Sequence, residues 1–169
     1  MLNNVNIKLM NAIHYVIYFA NKYKLNLSTI ILNKIIICAE IDVFSIYKAP
    51  LTGAKIIKTN YGPIPDGNKI AITALKNLNK ILIEKINHKT TYISLIMPDI
   101  SFFSDGTLEI LKFNTLYVCN NYIVKKLSYI ITNNKYWKIA DYGEEIPLLS
   151  FFPSISKIFT LEEFEKLHK

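Results

Sequence analysis

Residues 28–45 read STIILNKIIICAEIDVFS, and the folding of this run decides the architecture around it. Ile31, Leu32, Ile35, Ile36, Cys38, Ala39, Val43 and Phe44 cover most of the circumference of a helix. The β-branched run Ile35–Ile37 has strand character, but a continuous apolar pattern of this length exceeds an ordinary buried strand. A helix apolar on nearly every side belongs at the centre of its fold. Ser28 stands where a hydroxyl caps the first free amides.

Working outward, residues 5–22 predict a first helix. Leu9, Ile13, Val16, Ile17 and Ala20 recur at three- and four-residue spacing, widened by Met10 and Phe19. On the other side, the chain from Pro50 to Pro65 is punctuated. Thr52-Gly53 marks a turn, residues 54–60 suit a short helix, and Gly62-Pro63-Ile64-Pro65 predicts a stiff loop. Asp66-Gly67 allows another turn before helical spacing resumes over Asn68–Leu78.

Between residues 81 and 97 the period shortens to two, with a break at Asn87–Thr90, which predicts a β-hairpin. Ser104 or Asp105 then caps a helix running to Val118. Another helix is expected over Tyr122–Thr132, and a short turn or helix holds Trp137 and Ile139. Thr160 with Glu163 has the spacing of a capping box for a last helix. The expected fold is mainly α, at least half helix. It is a single compact multi-helix domain over 1–169 with one small β-hairpin insertion as its main sheet.

Composition narrows the function classes. A chain of 169 residues that is 51% apolar and 20% charged is not intrinsically disordered. Its two cysteines, Cys38 and Cys119, lie far apart and form neither a disulfide framework nor a thiolate zinc cluster. No apolar run spans a bilayer and no secretory start is evident, so the expected location is cytoplasmic, without membrane association.

The net charge is +7, and residues 1–60 carry most of it, with seven lysines against Glu40 and Asp42. The chain contains no arginine. Base reading and bidentate phosphate contacts favour arginine, so the basicity is weak evidence for nucleic-acid recognition. It would raise nonspecific attraction to an acidic partner, and its plain account is a solvated face in a chain rich in Lys, Asn and Ile throughout.

Catalytic and metal-binding motifs are missing from the sequence. His14, His88 and His168 show no metal-ligand spacing, and no nucleophile elbow, phosphate-binding loop or HExxH motif occurs. Cys38, on so apolar a helix, is expected to be core. The pairs Glu144-Glu145 and Glu162-Glu163 suit a polar loop and a helix first turn. The expectation is a non-enzyme with no catalytic, metal or cofactor site.

Four segments in order resemble a known family. They are Asn33-Lys34-Ile35-Ile36-Ile37 on the central helix, Lys48-Ala49-Pro50-Leu51-Thr52 with Gly53, Tyr61-Gly62-Pro63-Ile64-Pro65, and a later set. The later set is Leu127-Ser128, Trp137, and Gly143 with Ile146-Pro147. Together they resemble the Panacea domain, the antitoxin domain related to the SocA proteolysis adaptor, over residues 25–150. The family's Leu-x-Lys-Leu-Leu-Tyr run, Gly-x-Pro-Leu-Thr turn and Tyr-Gly-Pro-Val segment correspond to the first three. Departures are Lys48 at the turn glycine, Ile37 and Cys38 at the aromatic positions, and Thr132 or Asn133 where a histidine often follows Leu-Ser.

The resemblance implies a protein that neutralises a cognate toxin by protein–protein binding. The mode is direct occlusion or presentation to an ATP-dependent protease. Candidate partner-binding or motif-supporting residues are Asn33, Lys34, Pro50, Gly53, Tyr61, Gly62, Pro63, Pro65, Leu127, Ser128 and Trp137. Tyr61 and Trp137 have the amphipathic area of interface anchors, although a tryptophan covering helix ends and a Gly-Pro corner are also ordinary packing elements. Lys34 is expected to pack its stem inward and hold its ammonium at the rim. Two alternatives belong to other classes: a basic helical nucleic-acid-binding regulator, which would show steep salt dependence, and an accessory scaffold protein of a phage or mobile element.

Overall fold

In the computed structural model, residues 4–86, 89–119, 128–129 and 131–151 are described. The expected C-terminal helix from Thr160, the residues at positions 87–88, and most of the Tyr122–Thr132 helix, including Leu127, lie outside them. Residues 128–129 and 131–133 are helical.

The run at 28–45 is indeed a helix, and a central one. Helix α1 (Ile7–Lys22) is followed by α2 (Thr29–Tyr47), whose first turn is capped by Ser28 accepting from the Ile31 amide at 3.3 Å. Twelve of the nineteen α2 residues are buried, from Ile31 to Val43. Such a helix gains its stability from burial on all sides rather than from one stripe. Lys48 ends it in the left-handed region, with φ 56°.

Next come β1 (Ile56–Thr59), β2 (Gly62–Pro65), α3 (Asn68–Asn77), β3 (Ile81–Ile86), β4 (Lys89–Ser94), α4 (Asp105–Val118) and α5 (Lys135–Ile139), then a 3-10 turn over Leu148–Phe151. Helix α2 packs against α1, α4 and β2, while α1 also contacts α3, α4 and β4. The structure is about 54% helical, and its described residues carry two antiparallel hairpins. The β3–β4 hairpin falls inside the segment where the period changes, with Ile81 opposite Ser94 and Ile83 opposite Tyr92.

The other hairpin corrects two sequence expectations. Residues 54–60 hold strand β1, not a short helix, and the Gly62–Pro65 segment is strand β2, not a loop. A seven-residue helix would bear the full cost of nucleation with little to bury. Paired as strands, Ile56 faces Pro65 and Lys58 faces Pro63, and Ile56, Pro63 and Pro65 are buried.

Two prolines in a strand have a positional reason. Ile56 accepts from the Ile146 amide at 2.7 Å, and the Lys58 amide donates to the Glu144 carbonyl at 2.9 Å. These residues therefore turn their main chain toward residues 143–146, and Ile57 and Thr59 turn theirs toward Ile64 and Gly62. The missing N–H groups of Pro63 and Pro65 fall on the outer edge of β2. Proline is tolerated there, and it blunts the edge against further pairing.

Gly62, at the strand start, has φ 104° with nothing near its Cα on the side where a Cβ would stand. Strain, not collision, would oppose a substitution. Gly62→Val is expected to lower unfolding free energy by about 1–3 kcal/mol in denaturant titration. An unchanged midpoint would show that the turn has another conformation open to it.

Candidate functional site

The sequence-predicted residues fall into three groups. The first gathers on a clamp that the sequence alone does not reveal. Glu40, in the third quarter of α2, is 3% exposed. Its carboxylate accepts from three successive main-chain amides: Leu51 at 2.6 Å, Thr52 at 3.0 Å and Gly53 at 3.1 Å. The Thr52 hydroxyl donates to it as well. A buried carboxylate is tolerable only when its lone pairs are filled this way.

The turn after Pro50 is thereby folded back onto α2, with Gly53 at φ 71° allowing the third amide to point inward. Asn6, which caps α1 by accepting from the Leu9 amide, donates to the Thr52 carbonyl at 3.1 Å and ties α1 to the same turn. Pro50 itself is exposed and touches none of this directly through a hydrogen bond.

The second group is the hairpin and the segment behind it. The two-residue turn Asn60-Tyr61 presents Tyr61 at 82% exposure. The Thr59 hydroxyl stiffens this turn, donating to the Gly62 carbonyl at 2.6 Å and accepting from the Tyr61 amide at 3.2 Å. Lys58 secures the hairpin from beneath. Its ammonium donates to the carbonyls of Trp137 at 2.7 Å and Ala140 at 2.9 Å, at the C-terminal end of α5 where carbonyls lack helical partners. The same ammonium lies 5.3 Å from the Trp137 ring centre and 5.1 Å from that of Tyr142.

Trp137 is buried, so of its two sequence readings the packing one holds. It supports the hairpin without forming the surface. Tyr61 is displayed, Trp137 is braced below, and Lys58 connects them.

The third group lies inside. Lys34, Cys38 and Asp42 are spaced by four along one face of α2. Lys34 is buried as a residue, and its ammonium donates to the half-buried Ser128 hydroxyl at 2.5 Å. This joins two sequence-predicted residues 94 positions apart. Burial pushes the Lys34 ammonium below its ordinary range and the Cys38 thiol above its own. A thiol held protonated inside the core is a poor nucleophile. Asn33 accepts from Asn68 Nδ2 at 2.6 Å, pairing α2 with the start of α3.

Asp42 accepts from Asn114 Nδ2 at 2.8 Å, and burial pushes its carboxyl up to about 6. Its folded value therefore exceeds the unfolded one, near 3.9. The stabilising proton is fully held below pH about 4, and that contribution is lost as pH rises through 6. Asp42→Asn keeps an acceptor for Asn114 and removes the charge. It is expected to stabilise by about 1–3 kcal/mol at pH 7.5 and to be neutral at pH 3.5, in chemical denaturation of both proteins. Comparing the two chains cancels the separate acid sensitivity of His14, which burial and the nearby Lys80 hold below its ordinary value. A variant equal to wild type at both pH values would contradict the buried charge.

Glu40, Lys58, Asp42 and Asn114 were absent from the sequence candidates. An acid set within an apolar run was the available signal for Glu40, but its partners depend on a turn eleven residues away. Among the described residues no group of three or more His, Cys, Asp or Glu is placed to hold a metal ion. No described helix is long and apolar enough to cross a membrane. No family model, curated protein or solved structure matches this chain.

Proposed function

We propose that the chain is an antitoxin-like protein that neutralises a cognate toxin by direct protein–protein binding, with the β1–β2 hairpin as its contact face and Tyr61 as the anchor. The observation that carries this reading is the placement of Tyr61. A large amphipathic side chain stands at 82% exposure on a turn whose supports are all buried or bonded. Tyr61 is the most exposed of the large apolar and aromatic side chains among the described residues, and interfaces favour tyrosine because it contributes contact area at low entropic cost.

Further support comes from the neighbours. Tyr142 and Ile139, each joined to the Lys58 brace through its own segment, are also strongly exposed. Pro63 and Pro65 prevent the hairpin from recruiting a strand, which leaves side-chain contact as its mode of binding. The four motif segments of the antitoxin resemblance supply the identity of the partner class, and the reading places its action in the cytoplasm.

The test is co-expression with the product of the adjacent reading frame. A toxic neighbour whose growth arrest is relieved, and which co-purifies at a fixed ratio, is the expected result. A neighbour that neither harms growth nor binds would contradict the reading. Relief that requires an ATP-dependent protease would replace occlusion with presentation for degradation.

A further inference from the structure

Away from the hairpin, the chain between β4 and α4 holds Leu95, Ile96, Met97, Ile100 and Phe102 in water, with Met97 70% exposed. Five large apolar side chains exposed within eight residues are a local concentration of the kind found at interaction sites. The backbone beneath is fixed. Ser94 Oγ donates to the Ile96 carbonyl at 2.9 Å, and His14 Nε2, fully buried in α1, lies 3.1 Å from the same hydroxyl.

Asn21 of α1 braces the end of β4, accepting from the Ser94 amide at 2.7 Å and donating to the Tyr92 carbonyl at 2.9 Å. The Leu95 amide donates to the Lys80 carbonyl at 2.9 Å, and Asp99 accepts from the amide and hydroxyl of Ser101. These contacts leave little main-chain ordering at the start of the loop for a partner to impose.

The elements that hold the loop are lysine-bearing, and the charge of Lys80 acts on both Asp99 and His14. Lys22 and Lys24 flank the Asn21 brace, and Lys76 and Lys80 lie at the end of α3 and the turn that receives Leu95. Among the described residues, Asp99 in the loop and Asp105 and Glu109 on α4 carry the opposite charge, and Glu109 is already paired with Lys112. We propose that residues 95–102 form a second docking surface, for an amphipathic helix of a protein partner whose apolar stripe is flanked by carboxylates. A second copy of the chain would set one lysine rim against another. A lipid surface would have to take up the Asp99 carboxylate in the middle of the apolar loop. Both are less well matched than an acidic helix.

The test uses the full chain and two synthetic helical peptides of about 18 residues, five turns, with one leucine stripe and either glutamate or lysine elsewhere. The glutamate peptide is expected to bind at least about tenfold more tightly than the lysine peptide, with affinity falling as salt rises. Met97→Asp, at an exposed position that leaves the core intact, should weaken it by about tenfold or more. Tyr61→Ala should leave it unchanged, so failure here and failure of the toxin-binding hairpin remain distinguishable. Equal binding of the two peptides, no binding, or indifference to Met97→Asp would overturn the proposal. Sedimentation with phosphatidylglycerol vesicles in place of peptide binding would assign the loop to lipid, and Met97-dependent dimerisation without peptide binding would assign it to a second copy.

Discussion

Glu40→Ala is expected to cost about 3–4 kcal/mol of unfolding free energy, far more than an average substitution. The side chain adds little apolar area, so its size is not the cause. Its removal leaves the amides of Leu51, Thr52 and Gly53 and the Thr52 hydroxyl without their acceptor inside the protein. Each orphaned buried donor carries a penalty of about 1–3 kcal/mol unless water enters, and partial entry of water keeps the total below the simple sum. Glu40→Gln should recover little, because its amide nitrogen meets donors. Urea titration would measure both. A loss under about 1 kcal/mol for Glu40→Ala would show that the turn after Pro50 is held mainly by its apolar contacts.

Trp137→Ala should be comparably damaging, at about 3–5 kcal/mol, through cavity formation in the core. The cavity also removes the ring over which Lys58 lies, while the Trp137 carbonyl that accepts from Lys58 remains. Any loss of toxin neutralisation in this variant would thus follow from a weakened hairpin platform. Tyr61→Ala, at a position almost free of neighbours, should alter stability by no more than about 0.5 kcal/mol. A Trp137→Ala protein as stable as wild type would contradict the supporting role given to that ring.

The helical frame was legible because its signals are local. The apolar periodicity of α1, the all-round apolarity of α2, and the caps Ser28 and Ser104 all act within a few residues of their helices. The β3–β4 hairpin was equally readable from its two-residue period. The β1–β2 hairpin was not, because its four-residue strands carry two prolines and its other edge is completed by residues 143–146, some eighty positions later. Pro63 and Pro65 read locally as loop formers. Their strand role follows from which edge faces outward.

The candidate site divides along the same line. Tyr61 and Gly62 were found, since a glycine between an aromatic and a proline is conspicuous in sequence. Lys58, which holds that segment in place, is one lysine among many in sequence, and Glu40, which holds the turn after Pro50, is an acid two residues from Asp42 with no local partner. Lys34 and Ser128 were each singled out, but their contact is a product of tertiary packing and could not be inferred from their spacing.

The most direct measurement, under the proposed function, is the affinity of Tyr61→Ala for the product of the adjacent reading frame, determined together with its unfolding free energy. The account predicts near-native stability with binding weakened by about 2 kcal/mol or more, roughly thirtyfold, and with growth rescue lost in proportion. A stable Tyr61→Ala protein that binds and rescues as well as wild type would contradict the assignment of the hairpin as the contact face.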